Sequence, residues 1–168
     1  DTSSYQQVSF TPFDPATKRS EAIIERNGEH FRVTKGAPQV VMSMCYTMGE
    51  KDQTQANEAV GQLSQKGYRT IAVARSENDA GDALRLVGLL PLVDPPRPDS
   101  KSVIEELKTL GVKPKMLTGD NVAVAKEIAR QVSIGDNIYR MPNLSDLSEP
   151  GQAKILDECD GFAEIYPE

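Results

Sequence analysis

The sequence has no tryptophan, a single histidine, His30, and two cysteines, Cys45 and Cys159; five tyrosines and four phenylalanines are its only aromatics. One histidine leaves no Ser-His-Asp or Cys-His arrangement to assemble, and two widely separated cysteines offer no zinc-type spacing. The cysteines therefore read as reduced, core-packing thiols of a cytosolic setting. No apolar stretch approaches the roughly 20 residues that a bilayer span needs. The opening Asp1-Thr2-Ser3-Ser4 carries no basic and apolar leader pattern, so the sequence reads as soluble. Positive charge is also short: 19 Lys and Arg stand against 25 Asp and Glu, a formal net charge of -6. That balance argues against nucleic acid as a partner and against general binding to anionic membranes. Any anion site must be a local basic cluster on an acidic surface.

What is present is a globular balance, 168 residues with 38% apolar and 26% charged side chains, enough for one ordinary domain or two small ones. From Tyr5 to Phe13, Val8 and Phe10 alternate with Ser9 and Thr11, which predicts a half-buried strand ended by Pro12 and Asp14-Pro15. Asn27-Gly28 suits a tight hairpin turn, so Glu21 to Ile24 and His30 to Thr34 should pair antiparallel. His30 then faces a cross-strand neighbour at the surface and takes no catalytic role. Pro38 fits the first turn of a helix that buries Val40, Val41, Met44 and Cys45. A second helix runs from Thr54 to Lys66 and stops at Gly67, followed by a buried strand from Tyr68 to Ala74. Ser76 to Asp82 reads as a polar loop. Leu84 to Val93 is the most apolar run and predicts a strand buried on both faces.

Asp94-Pro95-Pro96-Arg97-Pro98 excludes helix and marks a boundary, giving expected units of 1–91 and 92–168. Beyond it the rhythm changes. A helix from Ser100 to Leu110 stops at Gly111, and a strand over Val112 to Leu117 enters a Thr118-Gly119-Asp120 turn. Asn121 caps a helix over Val122 to Val132. An extended piece at Asn137 to Tyr139, a polar loop, a helix near Gln152 to Asp157 and a strand over Gly161 to Ile165 complete the pattern. Alternation of this kind predicts a parallel, doubly wound sheet, whereas the first half predicts an antiparallel sheet with helices beside it.

Two groups of residues are candidates for chemistry. At the strand-to-helix turn, Thr118 and Asp120 emerge beside free helix-start amides, a geometry that favours an anion or a metal-bridged anion. The same turn also serves as plain connection chemistry. In the first unit Lys18, Arg19, Lys35 and Arg69 sit at predicted strand ends or turns with Phe13 in the same environment. Such a set suits an adenine ring by stacking and a triphosphate by charge. The same residues also fit ordinary solvated cations around a core phenylalanine. Glu105, Glu106, Asp157, Glu158 and Asp160 fall on helix faces or ends, where capping and solvation account for them.

Several stretches, in one order, resemble the cytosolic catalytic region of P-type ATPases. They are Phe13 with Lys18, Lys35-Gly36-Ala37-Pro38, Gly67-Tyr68-Arg69 leading into Ala72 to Arg75, Asp94-Pro95-Pro96-Arg97, and Met116-Leu117-Thr118-Gly119-Asp120. The spellings of Asp94 to Ser100, Lys115 to Asn121 and Asp160 to Glu168 look most like the plasma-membrane proton-pump branch.

The resemblance implies a fold and a set of roles. The fold is mixed α/β: the later part of an α+β nucleotide-binding domain, joined to part of a parallel, haloacid-dehalogenase-like phosphorylation domain. A phenylalanine matching Phe13 stacks on adenine, lysines matching Lys18 and Lys35, with Gly36 beside them, approach the nucleotide, and an arginine matching Arg69 contacts its phosphates. Thr118, Gly119 and Asp120 match the group that meets the terminal phosphate when the domains close, and Asp94, Pro95, Pro96 and Arg97 match the connecting hinge. The family's phosphorylated aspartate motif Asp-Lys-Thr-Gly-Thr does not occur in this sequence, and the family's second Gly-Asp motif, the one that carries a magnesium-binding aspartate, is absent as well. No catalytic or metal-ligating residue is therefore assigned, and the chain reads as an internal fragment. Its implied ligands are ATP or ADP, with Mg2+ in the parent enzyme. The implied partners are the remaining cytosolic and transmembrane domains, at the cytosolic face of a membrane. The parent reaction is ATP hydrolysis through an aspartyl phosphate, coupled to ion transport. Two other classes compete: a stand-alone haloacid-dehalogenase-type phosphatase, which needs an Asp-x-Asp that the sequence lacks, and a non-catalytic regulatory module.

Overall fold

In the computed structural model residues 2–46, 48–77, 83–140 and 148–165 are described. The fold is mixed α/β, and the chain divides into two compact units, Asp1–Gln62 with Thr70–Leu92, and Leu63–Arg69 with Val93–Glu168.

The first unit is built on strands β1 (Gln6–Asp14), β2 (Arg19–Arg26), β3 (Glu29–Gly36), β4 (Arg69–Ser76) and β5 (Leu84–Leu92), hydrogen-bonded in that order. The β2–β3 hairpin turns on Asn27 and Gly28 at φ 55° and 81°, the left-handed pair that the Asn-Gly dipeptide predicts. Its register, Arg19 opposite Gly36 through Arg26 opposite Glu29, runs without a shift and sets His30 across from Glu25. Directly opposed residues share a face, so Thr34 with Ala74 and Gly36 with Ala72 form the inner side. Helix α1 (Pro38–Ser43) starts at Pro38, and its Val41 packs with Cys45, Ala72, Ala74 and Leu84 in one buried cluster. Met42 is buried as well, while Val40 and Met44 are only partly so.

Two burial expectations fail here. Every residue of β1 is exposed, with Val8 and Phe10 each at 54%, where alternation predicted a half-buried strand. β5 is not buried on both faces: Leu84 is fully buried, but Val87, Leu90 and Leu92 are exposed. Both are edge strands of an antiparallel sheet, and periodicity alone does not tell an edge strand from a central one. Helix α2 (Glu50–Gln65) begins in this unit and ends at Gly67, whose φ of 81° and whose bond from Tyr68 N to Leu63 O (3.0 Å) close it as the glycine predicts.

The second unit holds α3 (Ser100–Thr109), β6 (Met116–Leu117), α4 (Val122–Gln131), β7 (Ile138–Arg140), α5 (Glu149–Glu158) and β8 (Gly161–Ala163). The strands form a parallel sheet in the order β6-β8-β7. β6 is two residues long, shorter than the Val112 to Leu117 run predicts. Pro114 has no amide to give a ladder, and among the described residues β6 pairs on one side only, with β8. Ala125 and Ala129 of α4 pack on Val132, Ile134, Ile138 and Ala163, with Ile104 of α3 and Met116 of β6 against them. Small residues at these positions let the helix lie close to the sheet. A Cβ on Gly161 would stand 2.2 Å from Met116 O, so β6 and β8 pair closely only with glycine there. The polar loop over residues 141–147 and most of the loop over 76–82 fall outside the described residues.

Candidate functional site

In the first unit β2 begins where β3 ends, and the contact between them is tight. A Cβ on Gly36 would lie 2.3 Å from Lys18 O and 2.7 Å from Arg19 Cα, so only glycine fits. Lys18 O accepts from Ala37 N (3.0 Å), tying the turn before β2 to the start of α1. Lys18 itself has φ 54°, and its amide bonds Asp14 O (2.7 Å), which closes the Asp14–Lys18 turn. Phe13 lies on β1 just before that turn with 60% of its surface exposed. Lys35 is exposed on β3, opposite Ser20 on one side and Val73 on the other. The fold thus gathers the Lys18 turn, Lys35 and Gly36 at one end of the β2–β3 pair, with Phe13 preceding that turn on β1. Exposed Phe13, the two lysines and the glycine-backed turn are residues of the kinds that offer stacking and charge to a nucleotide.

Arg69 is not part of that group. It clusters with the second unit, where its Nε lies 3.3 Å from Asp120 Oδ1 and its guanidinium also approaches Asp94 at 3.9 Å. The Thr118-Gly119-Asp120 turn is itself well ordered by bonds. Thr118 Oγ1 accepts from Asp120 N (3.1 Å) and donates to Asp120 Oδ2 (3.2 Å). Thr118 N donates to Phe162 O, Ile165 N donates to Thr118 O, and Glu164 N donates to Asp120 O, all at 3.0–3.1 Å. Asn121 caps α4 as its position predicts, Oδ1 accepting from Val124 N at 3.1 Å. Gly119 lets the chain pass Ile165 O, which a Cβ would meet at 3.3 Å. Pro95, Pro96 and Arg97 continue the extended stretch from Asp94, with Arg97 87% exposed at its side chain and 3.9 Å from Asp99.

Sequence reasoning grouped Arg69 with the cations of the first unit and gave Asp94 a connecting role. It missed that Arg69, Asp94 and Asp120 form one charge cluster. Nothing in the local pattern signals such a contact, because the three lie on segments far apart in the chain. The bonds of two lysines of the second unit were also not foreseen. Lys108 Nζ donates to Ser133 O and Ile134 O just past the end of α4, and Lys115 Nζ donates to Cys159 O at the end of α5. These satisfy helix-end carbonyls and are structural.

Among the described residues no group of three or more His, Cys, Asp or Glu side chains is gathered for a metal ion. Of the Asp120 carboxylate, Oδ2 accepts from the Thr118 hydroxyl and Oδ1 faces Arg69. No helix among the described residues is long and apolar enough to cross a membrane.

An antiparallel sheet bearing lysines and an exposed phenylalanine, followed by a parallel sheet with a Thr-Gly-Asp turn, is the architecture of a P-type ATPase cytoplasmic region. The chain belongs to that family: residues 2–99 match P-type ATPase, cytoplasmic domain N. Over 170 residues it is 42% identical to a protein of Methanocaldococcus jannaschii named as a cation-transporting ATPase, covering 98% of this chain and 20% of that protein. Over 175 residues it is 35% identical to proton ATPase 1A of Leishmania donovani, covering 98% of this chain and 18% of the relative. The plasma membrane ATPase of Kluyveromyces lactis is 35% identical over 173 residues, again 98% of this chain and 19% of the relative. The chain therefore spans about a fifth of the length of these relatives.

Proposed function

We propose that this chain is the adenine-nucleotide-binding part of a cation pump, with proton export as the transport it serves. Residues 1–91 would be the later part of the nucleotide-binding domain and 92–168 part of the phosphorylation domain. The observation that carries the reading is the seat of Gly36 on Lys18 O, which brings the backbone of Lys18 and of the Lys35-Gly36 strand end together, with Phe13 exposed on the neighbouring strand β1. In this reading Phe13 stacks on the base, and Lys18 and Lys35 neutralise phosphate charge while Gly36 keeps the backbone close. Arg69 and the Thr118-Gly119-Asp120 turn form the outer-phosphate end of the site, with Arg69 as its cation, and Asp94 to Arg97 is the hinge. The turn supports this role because Thr118 and Asp120 hold fixed positions through five hydrogen bonds within it and to β8 and the residues after it.

In the parent, ATP would phosphorylate an aspartate, and hydrolysis of that phosphate would drive cation export, with proton as the proposed cation, as the name of the Leishmania donovani relative supports. Transfer of this kind depends on positioning and charge stabilisation, and those are what these residues supply. Magnesium would enter with the nucleotide. The partners are the other cytosolic and transmembrane parts of the pump, at the cytosolic face of the membrane.

The test is a titration of the 168-residue chain with ATP, and with GTP for comparison, followed through backbone amide shifts. Shifts of Phe13, Lys18, Lys35 and Gly36 that saturate together, with weaker affinity in Lys35→Ala, are the expected result. A well-dispersed spectrum in which none of these amides moves, or an unaltered affinity in Lys35→Ala, overturns the reading.

A further inference from the structure

Arg69 presents the donor that a phosphate would need, yet the chain already fills it. Its Nε faces Asp120 Oδ1 at 3.3 Å, and its terminal nitrogen lies 3.9 Å from Asp94 Oδ2. We propose that this ion-pair cluster is an autoinhibitory mask: Asp120 and Asp94 occupy the Arg69 guanidinium in the ligand-free chain, and a phosphate chain binds there by displacing them. The inference rests on the phosphate-facing role given to Arg69 above and adds how that role is regulated.

Three features make the pair exchangeable. Asp120 is anchored, with Oδ2 held by the Thr118 hydroxyl and its backbone O by Glu164 N, so the carboxylate does not travel with the arginine. Arg69 is free to leave, since 55% of its side-chain surface is exposed against 26% for Asp120. The geometry is also poor for a guanidinium. One nitrogen meets Asp120, and the approach to Asp94 is too long for a hydrogen bond, whereas a diphosphate offers the planar fork two oxygens at once. An exposed single-point ion pair contributes little, so a doubly charged anion can compete with it.

The mask predicts that removing either carboxylate charge tightens anion binding at Arg69. The experiment follows the Arg69 Nε–Hε resonance of the 168-residue chain, assigned with Arg69→Lys, during titration with inorganic pyrophosphate and, separately, ATP. In the unaltered chain pyrophosphate should shift that resonance. In Asp120→Asn, which keeps an oxygen for Thr118, the apparent dissociation constant should fall about two- to fivefold. Asp94→Asn should produce a smaller fall in the same direction. It lies outside the turn, so it carries the test alone if the amide shifts of Thr118 and Phe162 reveal a disturbed turn in Asp120→Asn. An Arg69 resonance indifferent to pyrophosphate, or affinity that is unchanged or weaker in the carboxylate variants, overturns the mask. Phe13 and Lys35 amides that stay still under ATP while Arg69 responds would instead remove the base-binding reading and leave the mask standing.

Discussion

Thr118 and Asp120 are bonded to each other in both directions, the Thr118 hydroxyl accepting from the Asp120 amide at 3.1 Å and donating to the Asp120 carboxylate at 3.2 Å. Thr118→Val keeps the shape but removes both bonds and leaves a half-buried amide without its partner. That should cost about 1–3 kcal/mol of stability, measurable by urea unfolding, while Thr118→Ser should retain most of it. A larger loss in Thr118→Ser than in Thr118→Val would mean that the methyl group, not the hydroxyl, holds the turn.

Gly36 and Gly28 are both strand-end glycines, but they are glycines for different reasons. At Gly36 an added Cβ would stand 2.3 Å from backbone, so Gly36→Ala must push β2 and β3 apart, and amide exchange should speed up at both strand ends. At Gly28 nothing lies within 4 Å and only the φ of 81° opposes a side chain. Gly28→Ala should cost about 1–2 kcal/mol and leave the hairpin register intact. Nucleotide binding should suffer in the first variant and survive in the second.

Gly161→Ala tests the second unit in the same way. Its Cβ would meet Met116 O at 2.2 Å and break the pairing of β6 with β8. A loss of about 1–3 kcal/mol is expected, with amides of β6 and β8 losing protection while the β2–β3 hairpin keeps its own.

Stability should fall in alkali. Burial pushes the Cys45 thiol above its ordinary value of 9.0. The hydrogen bond from Tyr46 to Glu77 (2.6 Å), helped by desolvation and the Glu77 charge and opposed by Arg85, pushes the Tyr46 phenol above 10.0. Both groups keep their protons longer in the folded chain than in the unfolded one. Their contribution is complete below the unfolded values and is lost as pH climbs through the raised folded ones. Melting temperatures should therefore drop as pH rises above about 9, and the drop should shrink in Cys45→Ala. Thiol alkylation should find Cys45 unreactive until the chain unfolds, since it is only 5% exposed.

Much of the fold follows from local rules and was legible in the sequence. Asn27-Gly28 dictated a left-handed turn, Gly67 and Gly111 closed α2 and α3 with positive φ, and Asn121 capped α4, because each depends on residues within a turn of one another. Pro38 opened α1 for the same kind of reason. Burial was less legible. Val8, Phe10, Val87 and Leu90 have the spacing and apolarity of covered residues but lie on edge strands, and position in a sheet is a property of all its strands.

The candidate site divides along the same line. Lys18, Lys35 and Gly36 were readable together because they flank one hairpin, and Thr118, Gly119 and Asp120 because they are consecutive. The residue types, their turns and their membership of the P-type ATPase family were thus determined by the sequence itself. Only the tertiary structure decided that Arg69 answers to Asp120 and Asp94, and that Gly36 and Gly161 each carry a neighbouring strand's backbone where a side chain would be. Local conformation is set by each residue's own torsional and hydrogen-bonding preferences. Charge pairing and close backbone approach depend on distances in space, which chain order does not encode.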